Sequence, residues 1–396
     1  MALGTEQKNN TLRDLAHLIS VNKQEIIRQN QKDISLSTDI DDTLLDRLKV
    51  DEKKVDGMVA AVEEVMRLED PEGKILSHYK HPNGMIVENR VVPFGRILII
   101  YESRPDVTIE AAVSAFKAGN KILLKGGKEA LNSNLILTDL WKQALRKNNI
   151  SEDFVTYLSI NREETQKMLR ENTHHLDLII PRGGEGLINY IKQNASAPVI
   201  VSGRGNNFIY VHQDADFDMA IELILNGKNR LSVCNAIDKV LFHGDIEGLE
   251  EKMNRLLVKL SDMGMEVFGE GRFFTSFEKV KPMPLKEMWD EEFLAAKLLF
   301  GTVSNLEEAV QQINRHSGGH SAVIVCEDKG VANIFQEEVD SAAVYHNASS
   351  RFTDGGQFGF GAEMAISTQK LHFRGPVGLA QLVTNKWFIN GDGQVR

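Results

Sequence analysis

The chain has 396 residues and a net charge of −10, with 46 lysines and arginines against 56 aspartates and glutamates. This acidic balance argues against nucleic acid or an anionic membrane surface as the main partner, and the length predicts two or three domains. The two cysteines lie in different contexts and give no disulfide framework. Because no apolar run approaches the roughly 18 residues of a membrane span and the first residues lack a signal peptide's apolar core, we expect a cytoplasmic protein.

The first part of the chain is predicted to be helical. From Leu12 to about Arg67, apolar residues recur three and four positions apart, and Asp41 and Asp51 are candidate helix caps. A Pro-Asn-Gly turn between two extended segments then predicts a β-hairpin over residues 74–92.

Two series of short apolar runs alternate with segments of helical length. The first series covers residues 96–101, 121–125, 154–158, 176–180 and 199–202, and the second covers 208–212, 239–243, 296–303, 321–326 and 341–345. Such alternation predicts an α/β fold in which mostly parallel sheets are covered on both faces. Ligands of these sheets bind outside the carboxyl ends of the strands.

Three loops follow predicted strands of the first series with glycines or cations. They are E-S-R-P-D after Tyr101, G-G-K-E after Lys125 and P-R-G-G-E-G after Ile180. In the third loop, Gly183 and Gly184 either form a simple turn or let backbone amides approach a phosphate at the start of the next helix.

Cys234 is the candidate nucleophile of the chain. It follows two cations, Lys228 and Arg230, which would favour the thiolate, and Asn235 adds to the polar character of its loop. The competing interpretation is a small buried hydrophobe, since a thiol packs well in protein cores. Cys326 ends an apolar run and is assigned to packing.

The last part of the chain contains a long glycine-rich segment and an extended tail. Residues 347–361 read N-A-S-S-R-F-T-D-G-G-Q-F-G-F-G and favour a functional loop over a flexible surface loop, because arginine and phenylalanine suit the latter poorly. The aromatic tail, T-N-K-W-F-I-N-G-D-G-Q-V-R, is predicted to pair with another chain.

With these segments in view, the chain resembles the aldehyde dehydrogenase superfamily and, within it, the enzymes that reduce an acyl phosphate. The motifs that carry the resemblance are I-Y-E-S-R-P-D-V-T, V-C-N-A, V-Y-H-N-A-S-S-R-F-T-D-G-G-Q-F-G and I-S-T-Q-K-L-H-F-R-G-P-V-G. The resemblance implies two Rossmann-like parallel-sheet domains and a β-flap for oligomerisation. We expect an NADP-binding domain over 1–205 with the hairpin 77–92 in the flap, a catalytic domain over 206–383, and an oligomerisation strand over 384–396.

The resemblance also assigns roles to individual residues. The catalytic residues would be Cys234 as nucleophile and Asn235, with either Asn235 or backbone amides of the cysteine loop as the main oxyanion donor. Residues implied to bind NADPH are Lys125, Gly126, Gly127, Lys128, Arg182, Gly183, Gly184 and Glu292, of which Glu292 would lie beside the nicotinamide ribose. Residues implied to bind substrate are Ser103, Arg104, Arg230, His320, Arg351, Thr353 and Arg374; for each arginine a surface ion pair is the alternative. No metal is expected.

Several positions depart from the family's pattern. The E-T-L that commonly follows V-C-N-A is here Asp238-Lys239-Val240, and Leu231-Ser232 stands where Pro-Gly is frequent. Gln312, Gly318 and Ala322 also differ from the commonly observed residues. The glutamate that activates water in hydrolytic members is replaced by Ser202 or a neighbour in V-S-G-R-G.

The activity implied by the resemblance is NADPH-dependent reduction of L-glutamyl 5-phosphate to L-glutamate 5-semialdehyde, the second step of proline biosynthesis. Another superfamily enzyme, hydrolytic or acylating coenzyme A, is the alternative, and a non-enzymatic nucleotide-binding protein is a third. Expected partners are the small-molecule substrate, a glutamate 5-kinase that hands over the labile acyl phosphate, and further copies of the chain in a homodimer or homotetramer; nucleic acid and membrane are not expected.

Overall fold

The computed structural model describes residues 3–37, 40, 42–231 and 233–396. It divides into two compact units, one formed by residues 1–201, 359–365 and 376–396 and the other by residues 202–358 and 366–375. The predicted boundary at 205/206 therefore lies close to the first crossing, but residues 359–365 and 376–383 pack in the first unit and not in the catalytic one. Two hydrogen bonds show why: Ser114 Oγ donates to the carbonyl of Ala362, and Asn120 Nδ2 to that of Leu382.

Four helices open the first unit, as the apolar spacing predicts. They are α1 (Thr5–Val21), α2 (Lys23–Leu36), α3 (Asp42–Leu48) and α4 (Glu52–Arg67). Asp51 caps α4, because its side chain accepts a hydrogen bond from the amide of Lys54. Asp41, the other predicted cap, lies outside the described residues. In the part of the chain that is described, no helix is long and apolar enough to cross a membrane.

A four-stranded parallel sheet forms the centre of the first unit. Its strands are β3 (Arg96–Tyr101), β4 (Lys121–Lys125), β5 (Val155–Tyr157) and β6 (Leu178–Arg182), in the order β5-β4-β3-β6. The connecting helices are α5 (Val107–Lys117), α6 (Leu131–Lys147) and α7 (Arg162–Glu171), and α8 (Glu185–Asn194) follows β6. Strand β3 lies between β4 and β6. The chain runs from β3 to β4 and β5 on one side and then returns to place β6 on the other side of β3. The carboxyl ends of β3 and β6 therefore flank the switch point of the sheet.

The fifth predicted strand of this series, 199–202, is wrong. Val199 makes only an isolated bridge to Ile179, and the chain then leaves the sheet. The run P-V-I-V-S is apolar enough for a strand, but burial of this short segment against β6 satisfies the same pattern without a continuous ladder.

The predicted hairpin forms, and the tail pairs with it. Strands β1 (Ile75–Lys80) and β2 (Ile86–Pro93) are antiparallel, and the C-terminal strand β16 (Val383–Asn390) pairs antiparallel with β2 along its whole length. The tail was predicted to pair with another chain; instead its first partner is the hairpin of its own chain. In the described residues, the three-stranded sheet leaves one edge each of β1 and β16 without a neighbouring strand.

The second unit contains a seven-stranded sheet in the order β10-β9-β11-β8-β7-β12-β13, with all recorded pairs parallel. Its strands are β7 (Asn207–Val211), β8 (Ile237–His243), β9 (Glu266–Gly269), β10 (Val280–Pro282), β11 (Lys297–Val303), β12 (Ser321–Val325) and β13 (Ala343–His346). Its helices are α9 (Phe217–Lys228), α10 (Leu249–Asp262), α11 (Arg272–Thr275), α12 (Leu306–His316) and α13 (Lys329–Glu338). The sequence pattern did not predict β9, β10 or α11, because each is too short to show a period. Two short strands, β14 (Ala365–Ser367) and β15 (Gly375–Val377), pair with each other.

Both faces of the second sheet are buried. Ile209 and Val211 of β7 belong to the apolar cluster that includes α9 and α10, whereas Phe208 and Tyr210 belong to the cluster that includes α12 and α13. Successive side chains of a strand point to opposite faces, so a strand covered on both sides is apolar at most of its positions. This is why the strands of the sheet were visible in the sequence as continuous apolar runs.

We expect Asp33→Ala to lower the free energy of unfolding by about 2–4 kcal/mol. The substitution leaves buried donors in the first turn of α6 without an acceptor, and water cannot readily take the place of the carboxylate there. Asp33 Oδ1 and Oδ2 accept hydrogen bonds from the backbone amides of Asn132 and Ser133 in the first turn of α6 and from both side chains. Asp51→Ala removes one exposed cap bond and should cost only about 1 kcal/mol. Urea unfolding of both variants checks the difference; equal losses would contradict it.

Candidate active site

The cysteine loop connects α9 to β8, and the buried amide of Asn207 binds its backbone at two carbonyls. Asn207 Nδ2 donates to the carbonyls of Gly205, Cys234 and Ala236, at 3.0, 2.7 and 2.6 Å, and its Oδ1 accepts from the amide of Ser321 at 2.9 Å. Gly205 permits this approach, because a Cβ at that position would overlap the backbone of Cys234. The backbone carbonyls of Cys234 and Ala236 are therefore fixed, and the Cys234 side chain is partly exposed.

A second segment closes on this loop from the glycine-rich region predicted to be functional. The Arg351 guanidinium donates to Asn235 Oδ1, and Asn235 Nδ2 donates to the carbonyls of Arg351 at 3.2 Å and Thr353 at 3.0 Å. Ser350 Oγ donates to the carbonyl of Asn235 at 2.7 Å. The region 350–353 is thus bound to the cysteine loop at several atoms.

These contacts give Asn235 a structural role. Its part as oxyanion donor stays a prediction, with the backbone amides of the cysteine loop as the alternative donors. In this structure its amide donates to two backbone carbonyls and thereby joins two loops. The sequence could not show this, because Asn235 and Arg351 are far apart along the chain.

A cavity of about 400 Å³ adjoins the cysteine loop and is lined by polar side chains, among them Asn226, Asn229, Asn235, Arg351 and Asp354. The pKa of the Arg351 guanidinium is lowered, mainly by burial and then by repulsion from Arg230, while Cys234 acts in the opposite direction. Two guanidinium groups therefore act at the cysteine loop. The cavity lining itself holds one arginine, Arg351, and one carboxylate, Asp354, among amide side chains, so it suits a small polar molecule.

The other two arginines differ from this pair. Arg374 donates to Asp340 Oδ1 and to the Asp340 carbonyl, both at 2.7 Å, and Lys370 pairs with the same carboxylate. The surface ion pair that is the alternative for each arginine is therefore present at Arg374, and its role in substrate binding stays a prediction. Arg104 is half-buried in the first unit, where its charge acts on Glu110.

His320 and Thr353 are brought together but are buried. His320 Nδ1 lies 2.8 Å from Ser321 Oγ, which lies 2.7 Å from Thr353 Oγ1, and the Tyr345 hydroxyl is also 2.7 Å from Thr353 Oγ1. Burial lowers the pKa of His320 to about 4, so the imidazole is neutral at physiological pH. These two residues form the support behind the loop 350–353 and do not reach the surface of the cavity.

Cys326 packs in the core of the second unit, as the sequence indicates. Burial and nearby acidic groups raise the pKa of its thiol to about 12. It is therefore a poor nucleophile, whereas Cys234 is accessible.

In the first unit, the predicted cofactor residues lie at the carboxyl edge of the parallel sheet. Lys125 ends β4, is half-buried, and donates to the carbonyl of Gly126 at 2.9 Å; burial lowers the pKa of its amine. Gly126 is buried under Tyr101 and Asn134, where a Cβ would not fit. Lys128 is exposed at the start of a short 3-10 helix that follows Gly127.

The double-glycine turn leads directly into α8, and the side-chain carboxylate of Glu102 is hydrogen-bonded at the start of that helix. Gly184 is the N-cap of α8, and its amide donates to Glu102 Oε2 at 2.9 Å, while the Glu102 amide donates to the carbonyl of Arg182 at 3.1 Å. A Cβ on Gly183 would collide with the same carboxylate. The turn is therefore shaped to receive negatively charged oxygen at the helix N-terminus.

Ser103 is held by contacts within the first unit. Its amide and its hydroxyl both donate to Glu129 Oε1 at 2.8 Å, and the residue is almost fully buried in a left-handed conformation with φ 45°. This hydroxyl ties the loop after β3 to the residue after Lys128, and a contact of Ser103 with substrate stays a prediction. Glu129 places a carboxylate near the amine of Lys125.

Glu292 lies in the second unit between Glu291, whose carbonyl accepts from Lys239 Nζ at 2.7 Å, and Phe293, whose amide donates to Asp238 Oδ2 at 2.8 Å.

Ser232, part of the polar cysteine loop in the sequence, lies outside the described residues. Sequence reasoning missed Asn207 and Glu102. A polar residue placed directly at a strand end is the signal that could have indicated both.

The chain is similar to known proteins along its whole length. Residues 2–268 match the model of the aldehyde dehydrogenase family. The chain is 42% identical to gamma-glutamyl phosphate reductase of Dictyoglomus thermophilum over 100% of its own length and 95% of the relative's, and 43% identical to that of Caldanaerobacter subterraneus with the same coverage.

Solved structures give the same result. The crystal structure of gamma-glutamyl phosphate reductase from Thermotoga maritima shares 39% identity with a TM-score of 0.94, and the match covers 100% of this chain and 95% of that one. An acetylating aldehyde dehydrogenase from Geobacillus thermoglucosidasius, at 16% identity and a TM-score of 0.71, shares the fold.

We expect one fast-reacting thiol in the native protein. Iodoacetamide at pH 7.5 should label Cys234 at least about tenfold faster than Cys326, because Cys234 is accessible whereas burial disfavours the Cys326 thiolate. Mass spectrometry of digested samples taken over time measures both rates. Comparable rates, or faster labelling of Cys326 without unfolding, would contradict the assignment.

Proposed function

The chain belongs to the aldehyde dehydrogenase family, in the branch of the gamma-glutamyl phosphate reductases, and from that premise we propose that it reduces L-glutamyl 5-phosphate to L-glutamate 5-semialdehyde with NADPH. The observation that carries the proposal is the identity of about 40% along the whole chain with relatives of that name. The reaction is an oxidoreduction in the biosynthesis of proline.

The residues of the first unit fit a dinucleotide phosphate. The carboxylate of Glu102 on the amide of Gly184 stands in for an anion, which shows that this helix N-terminus accepts negative oxygen. Lys125 adds a half-buried cation at the end of β4. When bound, NADPH supplies the hydride; Lys125, Gly183 and Gly184 would hold it, with Glu292 as the proposed carboxylate for the nicotinamide ribose and Glu102 displaced from Gly184.

The chemistry of the acyl group falls to the cysteine loop. The Cys234 thiolate attacks the acyl carbon, a carbon–sulfur bond forms, and the carbon–oxygen bond to phosphate breaks. Inorganic phosphate leaves with the electron pair, and Arg351 and Arg230 are proposed to stabilise its charge. Hydride then reduces the thioester to a thiohemiacetal, whose carbon–sulfur bond breaks to release the aldehyde and restore the thiolate. Acyl phosphate, NADPH and a proton are thus converted to aldehyde, NADP and phosphate.

In the proposed reaction, water does not compete with hydride for the thioester, because the segment before β7 lacks a carboxylate that could activate it. The segment Val201-Ser202-Gly203-Arg204-Gly205 contains no carboxylate where hydrolytic relatives place their water-activating glutamate. Serine is a poor base at neutral pH, so the thioester persists until hydride arrives. We also propose a glutamate 5-kinase as the enzyme that hands over the substrate, because an acyl phosphate is labile in water.

We further propose that the chain forms a homodimer or homotetramer through the three-stranded flap. Trp387 and Ile389 lie on the same face of the edge strand β16 and remain 54% and 55% exposed. Beside the flap, an apolar cavity of about 360 Å³ is lined by Leu76, Val91 and Phe360, among others. An exposed edge strand with large apolar side chains favours association with another chain.

In the oxidative direction, we expect NADP reduction with glutamate semialdehyde to depend strongly on phosphate and to yield acyl phosphate. Progress curves with and without phosphate, with hydroxylamine trapping of the acyl phosphate, measure this. Cys234→Ala should lower the rate at least about 10³-fold with little change in NADPH affinity, and Cys326→Ala should remain active. Rapid phosphate-free conversion to glutamate would show that another residue activates water and that the reductase assignment is mistaken.

For the oligomer, Trp387→Glu combined with Ile389→Glu should lower the sedimenting mass, because two charges on the exposed face of β16 disfavour an apolar interface. Val258→Glu, at an exposed position on α10, is the matched control and should leave the mass unchanged. Sedimentation velocity at micromolar concentration measures both. A monomeric unmodified protein under these conditions would refute the proposal.

A further inference from the structure

The segment from Trp289 to Phe293 is fastened to the second unit residue by residue. The carbonyl of Trp289 accepts from Asn206 Nδ2 at 2.6 Å, and the carbonyl of Asp290 accepts from the Arg204 guanidinium at 3.0 Å. The Asp290 carboxylate lies 2.9 Å from His316 Nδ1. A connection held at this many atoms has one backbone conformation, which suggests that the position of a side chain within it matters.

Two consecutive residues of β8 complete the attachment on either side of Glu292. Lys239 Nζ donates to the carbonyl of Glu291 at 2.7 Å and lies 3.6 Å from the centre of the Phe293 ring. Asp238 Oδ2 accepts from the amide of Phe293 at 2.8 Å. Glu292 is therefore bracketed by two contacts to the strand that follows the cysteine loop.

Lys239 is an expensive residue to bury. Its side chain and that of Lys228 are fully buried, while one carboxylate, Asp238, pairs with Lys228 and leaves the second amine with a carbonyl and a ring. Burial, together with repulsion from Lys228, lowers the pKa of the Lys239 amine to about 7, against the opposing attraction of Asp238, Glu291 and Asp290. Because burial of this amine lowers the stability of the fold, we expect its contacts to serve a function that offsets the loss.

A shorter polar side chain could not make the contacts of Lys239. A threonine hydroxyl is attached at Cβ and is too short to span the distance that the lysine side chain covers to Glu291. The contacts to the Glu291 carbonyl and the Phe293 ring are therefore specific to the lysine.

We propose that Lys239 is a positioning residue that, together with Asp238, fixes the backbone around Glu292 and thereby holds the Glu292 carboxylate in place for the nicotinamide ribose. The inference rests on the proposed function, in which Glu292 contacts the cofactor. Lys239 itself contacts neither cofactor nor substrate.

The test combines Lys239→Met, which keeps the length of the side chain without its amine, with Glu292→Gln and the double variant. Lys239→Met should raise the Kd for NADPH, measured by quenching of tryptophan fluorescence, and the KM for NADPH about five- to tenfold, with kcat within about twofold. In the Glu292→Gln background the same substitution should have no further effect. Lys281→Met, at an exposed lysine of the same unit, is the matched control and should change neither constant.

A second variant and the thermal stability complete the test. Lys239→Thr, whose hydroxyl is too short to reach the Glu291 carbonyl, should show the same rise in Kd and keeps the test readable if Lys239→Met folds poorly. Where Lys239→Met folds, its Tm should exceed that of the unmodified protein most at pH 6 and the difference should shrink toward pH 9, because the buried amine costs most where it is charged in both the folded and unfolded states.

The results separate the inference from the proposed function. An unchanged Kd in both Lys239 variants, or an effect that adds fully to that of Glu292→Gln, would overturn the positioning role. If Glu292→Gln leaves NADPH binding unchanged, the role of Glu292 in the proposed function fails, and a Lys239→Met effect in that case also overturns positioning through Glu292. A rise in Kd that disappears in the Glu292→Gln background supports both.

Discussion

The geometry of the catalytic unit depends on the side chain of Asn207. This buried amide is the first residue of β7, yet its hydrogen bonds reach the segment before that strand, the cysteine loop and β12. A buried amide must satisfy its donors and its acceptor inside the protein, so its four contacts fix one arrangement of these segments. The position of the Cys234 backbone follows from this arrangement, and Asn235 and Arg351 then close the glycine-rich loop over it.

The two sheets place their chemistry at opposite ends of their strands. In the first unit, Lys125 and the Gly183–Gly184 turn lie at the carboxyl ends of β4 and β6, as expected for ligands of open parallel sheets. In the second unit, Cys234 precedes β8 and therefore lies at the amino end of that strand. Amino ends carry no general rule for ligands, which explains why contacts around Asn235 and Asn207 could not be anticipated from the order of elements.

Anions and buried charges recur where function is proposed. Glu102 already lies on the helix amide that a cofactor phosphate would use, and the Lys228–Asp238 pair with Lys239 surrounds the segment of Glu292. The buried Lys239 amine is not explained by stability alone, because a buried amine without a paired carboxylate costs free energy. The contact of Glu102 is consistent with the cofactor phosphate that we propose for this helix N-terminus, and the cluster of Lys228, Asp238 and Lys239 is consistent with the positioning of Glu292 that we infer.

The sequence by itself determined the α/β fold, the hairpin, most strands of both sheets and the contrast between Cys234 and Cys326, because periodicity and buried apolar runs are local properties. Its motifs also brought Arg351 and Cys234 into one hypothesis. Only the tertiary structure decided that Asn235 and Ser103 donate hydrogen bonds to groups inside the protein, that Arg374 pairs with Asp340, and that the tail pairs with its own hairpin. These outcomes depend on which partner lies across a long stretch of chain, and a hydrogen bond or ion pair between distant residues leaves no pattern in the order of the residues themselves.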